Sequence, residues 1–245
     1  MSQKPFIFKE FEVAQNQCAM KIGTDAVLLG AWTTIMKQPF SILDIGSGTG
    51  VLALMLAQRS QAELIDAIEM DDKAYEQCVS NFENSPWSDR LFCYHASLDE
   101  FVDEIEDKYD LIISNPPFYS EGYKTKNTQR DTARFSDALP FEHLVESVSK
   151  LLSEDGVFSI VIPFKEESKL RLLASEVNLY VNRILHVKGS PTSEIKRSLL
   201  EFSFPTMLAG RQESETIINE LIIETTRHQY TEDYINLTKD FYLKM

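Results

Sequence analysis

Short apolar runs alternate with amphipathic stretches along the chain. Ile42, Leu43 and Ile45 form a brief apolar run of the kind a buried parallel strand needs. Residues 51–57 are apolar nearly all round, as in a helix packed deep against a sheet. The unit of strand then helix recurs, with strands over 64–69, 91–94 and 109–114 and helices over 72–82 and 98–105. A helix over 140–152 follows, with Phe141, Leu144, Val145, Val148, Leu151 and Leu152 on one face; Gly156 reads as its stop signal and 157–162 as the next strand. Residues 165–176 and 180–187 continue the alternation, and 199–204 form a late strand reached through Gly189-Ser190-Pro191. The tail adds a strand over 221–223 and a helix over 232–243. Near the start, Phe6, Phe8, Phe11 and Val13 alternate imperfectly with polar residues, which suggests an edge strand or hairpin laid against the main sheet. Thr24 stands where an N-cap would for a helix over 26–32. Strands alternating with helices imply a parallel sheet wound by right-handed crossovers. The expectation is an α/β protein with a mostly parallel twisted sheet and helices on both faces. It is expected to form one domain over 1–245, with a lead-in over 1–40, a core over 41–204 and a C-terminal strand and helix over 205–245.

Composition narrows the setting. With 43% hydrophobic and 25% charged residues, the 245-residue chain can bury a sizeable core, and no apolar run approaches the ~20 residues of a membrane helix. Residues 1–10 mix Lys4, Lys9 and Glu10 with Phe6 and Phe8 and lack the apolar stretch of a secretory signal, so a cytoplasmic protein is expected. Cys18, Cys78 and Cys93 are widely spaced without a Cys-x-x-Cys pair, and the four histidines are scattered, so no metal site is expected. The net charge of −14, from 24 Lys and Arg against 38 Asp and Glu, argues against a protein that coats nucleic acid non-specifically. A local basic site stays open.

The candidate chemistry starts at Asp44-Ile45-Gly46-Ser47-Gly48-Thr49-Gly50, between the first core strand and its helix. Gly46, Gly48 and Gly50 can adopt positive φ and let the backbone approach a ligand, while the first helical amides offer unpaired donors. A plain strand-to-helix turn would look similar. In register with a strand, an Asp and a helix, the run reads as a nucleotide cradle. Glu69 ends the next strand about 20 residues on, where dinucleotide folds place a carboxylate for ribose hydroxyls. A solvated strand-end acid is the alternative for Glu69, and for Asp44 it is a carboxylate that only orders nearby amides.

Asn115-Pro116-Pro117-Phe118 follows directly on the apolar run Leu111-Ile112-Ile113. Consecutive prolines remove amide donors and hold the backbone extended, so the Asn115 side chain and the Pro116 carbonyl become two fixed acceptors beside an aromatic face. Such a site suits a planar amine whose ring stacks on Phe118, as an extruded adenine would. A proline-rich turn with Phe118 as packing is the alternative.

These motifs, in this order on a βα repeat, resemble the class I S-adenosylmethionine-dependent methyltransferases that act on amino groups. The resemblance covers most of residues 41–163 and implies a Rossmann-like class I methyltransferase fold. The Asn-Pro-Pro-aromatic motif is shared by enzymes acting on adenine N6, guanine N2 and glutamine amides, so it specifies the group attacked better than the substrate. Outside the core, Cys18-Ala19-Met20-Lys21-Ile22-Gly23-Thr24-Asp25-Ala26-Val27-Leu28-Leu29-Gly30-Ala31-Trp32, Asn84-Ser85-Pro86-Trp87 and Asp240-Phe241-Tyr242-Leu243 are similar to the bacterial tRNA(Val) adenine N6-methyltransferase family. That resemblance implies methylation of adenine 37, just 3′ of the anticodon, with S-adenosylmethionine as cofactor and tRNA as partner. It assigns Lys21, Thr24, Asp25, Asp44, Gly46, Gly48, Gly50, Glu69, Ser97 and Asn115 to cofactor binding, and Asn115, Pro116, Pro117 and Phe118 to catalysis. Where many relatives carry an Asp after the third strand, this chain has Ser97, which leaves recognition of the cofactor's adenine to the Ser97 hydroxyl or the backbone.

The stretch after the motif carries Lys124, Lys126, Arg130 and Arg134 with Tyr119 and Tyr123 interleaved, a basic segment in an acidic chain that suits a splayed anticodon loop. A solvated loop is the alternative, and Lys188, Lys196 and Arg197 form a second basic set. The competing functions are methylation of another amine, in rRNA, DNA or a protein glutamine, and a cofactor-binding scaffold without catalysis.

Overall fold

The computed structural model of the chain describes residues 4–117, 139–205 and 216–245. Its first strands, β1 (Phe6–Ile7) and β2 (Glu12–Val13), pair with each other and, among the described residues, with no other strand. The helix α1 (Thr24–Trp32) leads to the core strands: β3 (Ser41–Ile45), β4 (Leu64–Glu69), β5 (Leu91–His95), β6 (Tyr109–Ser114), β7 (Leu152–Pro163), β8 (Tyr180–Lys188), β9 (Ile195–Ser203) and β10 (Ile217–Ile222). These eight form one sheet in the order β10-β8-β9-β7-β6-β3-β4-β5, with every pairing parallel except those of β9. The connecting helices are α2 (Val51–Arg59), α3 (Asp72–Glu83), α4 (Leu98–Glu104), α5 (Phe141–Leu151) and α6 (Glu167–Glu176), and α7 (Glu232–Thr238) lies in the tail after the small hairpin β11 (Glu224–Thr226) and β12 (Gln229–Tyr230).

The period-2 alternation of the strands decides which face each helix covers. Ile42, Leu111 and Ile113 join Val51, Leu54, Cys78 and Phe82 in a core beneath α1, α2 and α3, with Tyr234 and Phe241 of the tail added. Leu43 and Ile112, one residue out of phase, face Phe101, Leu144, Val148 and Leu170 from α4, α5 and α6. This is the α/β Rossmann-like architecture expected, with helices on both faces.

Residues 6–13 form the hairpin that the alternation allows, β1 against β2, and its Phe8, Phe11 and Val13 join the core on the α1–α2–α3 face; among the described residues it is not hydrogen-bonded to the eight-stranded sheet. Phe8 is buried against Phe6, Phe11 and Tyr242 and bridges to Tyr242, so an aromatic cluster fastens the hairpin to the tail. Three expectations need correction. The N-cap of α1 is Gly23, whose carbonyl accepts from the Val27 amide, and Thr24 is the first helical residue. Gly156 does not stop a helix. The chain turns extended at Leu152 and passes straight into β7, where the register jumps from Tyr109↔Leu152 to Leu111↔Val157. Gly156 sits in that irregularity, where a Cβ would meet the Leu152 side chain at 2.7 Å. The last helix ends at Thr238, and residues 239–243 leave it so that Phe241 can bury itself and Tyr242 can reach Phe8.

Candidate active site

The strand order reverses at β3, whose neighbours β4 and β6 follow it on opposite sides. A crevice therefore opens beyond the carboxyl ends at that point. Ile45 pairs with Ser114 on one side and Ile68 on the other, and Glu69 pairs with His95. Asn115, the turn 46–50, Glu69 and Ser97 consequently leave neighbouring strands along one edge. The buried Ser114 hydroxyl donates to the Ile45 carbonyl at 2.9 Å and locks the ends of β6 and β3 together.

All three turn glycines hold positive φ: 72° at Gly46, 54° at Gly48 and 77° at Gly50. At Gly46 and Gly48 no atom of the described residues lies within 4 Å of where a Cβ would stand, so among them the turn faces open space. At Gly50 a Cβ would lie 2.5 Å from Phe82 and 2.8 Å from Cys78, so that glycine serves the packing of α2 on α3. The Gly46 and Ser47 amides both donate to the Ile68 carbonyl, at 3.0 and 3.1 Å. Glu69 accepts from the Gly48 amide at 2.8 Å and from the Asp71 amide at 2.9 Å, which sets its carboxylate at the rim of the cradle. Asp44 is fully buried beneath it. Its Oδ2 accepts from the Ala53 amide in α2 at 3.3 Å, while its Oδ1 has no partner among the described residues. Burial, with the Glu69 charge adding to it against the Ala53 hydrogen bond, pushes its pKa up to about 7.

Asn115 and Pro117 are half-buried and Pro116 is buried. Phe118, Lys124, Lys126, Arg130 and Arg134 lie outside the described residues. Ser97 caps α4 in a reciprocal box: its hydroxyl accepts from the Glu100 amide and donates to the Glu100 carboxylate at 2.8 Å, while Glu100 accepts from the Ser97 amide. Lys21 and Thr24 are exposed. Asp25 is joined to Arg197 at 2.7 Å, which ties the start of α1 to the start of β9 at the same sheet edge. Lys188 pairs with Glu220 at 2.8 Å.

Three features escape a reading of the sequence. Asn81 of α3 exchanges hydrogen bonds with both backbone groups of Ala14 at 2.9 Å and donates to the Thr49 carbonyl at 2.8 Å, so it fastens the lead-in to the glycine turn. The Cys18 thiol is pushed up to about 12, first by burial and then by the charges of Glu69 and Asp71, because that lead-in runs close to the end of β4. Met70 is exposed immediately after Glu69, and its carbonyl contacts the His95 ring at 3.2 Å. A buried Asn in a helix or a Met after an acid carries no local signal; only long-range packing gives either a position.

The methyltransferase small domain family matches residues 22–179. Curated relatives named tRNA1(Val) (adenine(37)-N6)-methyltransferase include one from Flavobacterium psychrophilum, 63% identical over 98% of this chain and 100% of its own. Others are from Flavobacterium johnsoniae, 61% identical over 98% and 100%, and Bacteroides fragilis, 43% identical over the whole of both. Among solved structures, a predicted O-methyltransferase from Agrobacterium tumefaciens superposes with a TM-score of 0.65 at 18% identity, covering 89% of this chain and 96% of its own. A ribosomal protein L11 methylase from Lactobacillus delbrueckii gives 0.52 at 17% identity, covering 74% and 77%. The structural likenesses bear on the fold alone.

Proposed function

The chain belongs to the tRNA1(Val) (adenine(37)-N6)-methyltransferase family, and from that premise we propose that it methylates the exocyclic N6 amine of adenine 37 in tRNA(Val), in the cytoplasm. It is an S-adenosylmethionine-dependent methyltransferase. The observation that supports an amine acceptor is the β3–β6 register, which sets Asn115 beside the glycine turn, and the names of the full-length relatives support adenine 37 of tRNA(Val) as its source.

The site fits the cofactor. The open space over Gly46 and Gly48 admits a ligand close to backbone, and the Glu69 carboxylate at its rim keeps lone pairs for ribose hydroxyls. The unpartnered Oδ1 of Asp44 beneath the turn suits an ammonium donor, and the exposed Met70 thioether suits the face of a purine. S-adenosylmethionine, when bound, supplies an electrophilic methyl on a positively charged sulfur.

The acceptor side belongs to β6. An adenine amine is a poor nucleophile because its lone pair is delocalised into the ring. The Asn115 side-chain oxygen and the Pro116 carbonyl accept from that amine, favour pyramidal geometry and localise the lone pair, so the chain contributes positioning and electrostatics without a covalent intermediate. No strong base is required, since the nitrogen becomes acidic as it acquires positive charge. Phe118 would fix the plane of the base.

Nucleoside mass spectrometry of tRNA, methylated by wild type and by Asn115→Ala, tests the reading. The wild type is expected to form N6-methyladenine, and the variant to lose about 10²-fold in kcat, or ~3 kcal/mol, with cofactor affinity retained. Methylated guanine N2 or glutamine, with no adenine product, overturns it.

A further inference from the structure

We propose that Phe164 is a stacking platform for a nucleotide flanking the target adenine, its ring oriented by the half-buried His186 imidazole, which the buried Glu167 and Ser198 side chains hold in place. The inference rests on the tRNA reading above and adds an RNA-contact residue at the same sheet edge.

Phe164 directly follows Pro163, the last residue of β7, and β7 is the parallel neighbour of β6 in the register Ser114↔Ile160. The ring therefore emerges one strand away from Asn115, on the side opposite the glycine turn. It is 40% exposed. A lone exposed aromatic needs no explanation, but this one is held. Its ring stands edge-on to the His186 ring, at 5.1 Å between centroids and 87° between planes. His186 Nε2 lies 2.8 Å from the Glu167 carboxylate, and the fully buried Ser198 hydroxyl donates to the same oxygen at 2.6 Å. Register explains the convergence, since His186 and Ile162 both pair with Ser198. Glu167 is itself 8% exposed, and its other oxygen lies 3.6 Å from Arg171.

Burying the Glu167 carboxylate and the Ser198 hydroxyl, and half-burying the His186 imidazole, costs desolvation that well-packed apolar side chains would avoid. Among the described residues, the side-chain hydrogen bonds and ion pairs of the three stay within Glu167, Arg171, His186 and Ser198, away from the glycine turn and Asn115. What the cluster does accomplish is to fix the imidazole plane, and through it the plane of an exposed aromatic ring. A base stacks on such a ring with little ordering cost, and any base will serve because each has a π-face. The flanking charges fit the same ligand. Lys165, with 58% of its side chain exposed and 3.8 Å from the Glu166 carboxylate, follows Phe164 in the chain, and Lys196 is exposed at the start of β9, against which the turn Phe164–Glu166 packs. These cations can meet phosphates on either side of a stacked nucleotide.

The test uses an anticodon stem-loop carrying 2-aminopurine at each position flanking the target adenine, titrated with wild type, Phe164→Ala, Phe164→Leu, Phe164→Trp and His186→Gln. Wild-type protein is expected to quench the probe at one position and Phe164→Trp to retain the quench. Phe164→Ala and Phe164→Leu should lose the quench and weaken RNA affinity about tenfold, raising KM more than they lower kcat. His186→Gln keeps a donor to Glu167 but removes the ring edge, and should give a partial loss. Cofactor affinity, read by calorimetry, should be unchanged in all four variants, which also reports that they are folded. Quenching and RNA affinity in Phe164→Leu equal to wild type, with the wild type forming N6-methyladenine, overturns the platform alone. A wild type that binds cofactor but forms no N6-methyladenine in tRNA overturns the function it rests on as well.

Discussion

Asp44 is fully buried beneath the glycine turn, with one carboxylate oxygen unpartnered among the described residues. An ordinary aspartate titrates near ~3.9, but this one is pushed up to about 7 by burial. Between those values the folded protein holds a proton that the unfolded chain has released, so stability falls as pH rises from about 4 to about 7 and then levels off. Asp44→Asn keeps an acceptor for the Ala53 amide and removes the titration. Urea unfolding at pH 5 and pH 8 should show the wild type losing about 2–3 kcal/mol relative to Asp44→Asn over that interval. A difference independent of pH would mean that the carboxyl is not shifted. Ser97 teaches the complementary lesson. The sequence leaves the cofactor's adenine to its hydroxyl or the backbone, and in the structure that hydroxyl accepts from the Glu100 amide and donates to the Glu100 carboxylate, three residues on.

At the scale of elements, the glycine turn holds one glycine, Gly50, against packed side chains and two, Gly46 and Gly48, that we propose face the cofactor. Gly50→Ala would combine the strain of a φ of 77° with collisions against the buried Phe82 and Cys78 side chains. It should destabilise the protein by about 2–4 kcal/mol, measurable as a lower Tm. Gly46→Ala meets no atom of the described residues within 4 Å and is expected to add only the strain of its φ, roughly 1 kcal/mol, with its methyl on the open side of the turn. Its effect should therefore fall on cofactor affinity in calorimetry, with a small change in Tm; equal losses of stability in the two variants would show that the division is wrong. Elements bounded by strong local signals are legible from sequence, and the strands Leu64–Glu69 and Tyr109–Ser114 fall where their apolar runs place them. Gly156 misleads because a glycine after a helical pattern looks the same whether it ends the helix or accommodates a bulge. Only the pairing of β7 with β6 separates the two.

For the molecule as a whole, the question is how a chain with a net charge of −14 holds RNA. We propose that Lys124, Lys126, Arg130 and Arg134, which follow the Asn-Pro-Pro motif in sequence and lie outside the described residues, form a local phosphate-binding rim. Replacing all four by alanine should weaken tRNA binding and flatten its dependence on salt, by about 0.7–0.9 log units of slope for each phosphate that is no longer neutralised. Cofactor affinity should not change. Binding measured across a salt series decides the matter, and an unaltered slope would move phosphate binding elsewhere, to Lys165 and Lys196 first. Among the described residues no helix is long and apolar enough to cross a membrane.

What the sequence determined by itself is whatever short-range chemistry dictates. The glycines can be placed because only they take positive φ freely, the strands because burial on both faces demands continuous apolar runs, and the Asn-Pro-Pro acceptor pair because prolines restrict their own backbone. Tertiary structure alone decided which of these meet. The Asn115 strand lies beside the glycine turn rather than further along the sheet because β6 pairs with β3, and Asp25 finds Arg197 across 172 residues of chain. The same holds for Asn81, Cys18 and the His186 cluster. Their environments are made by contacts between elements distant in sequence, and a side chain's hydrogen bonds and burial have no value until those elements have packed.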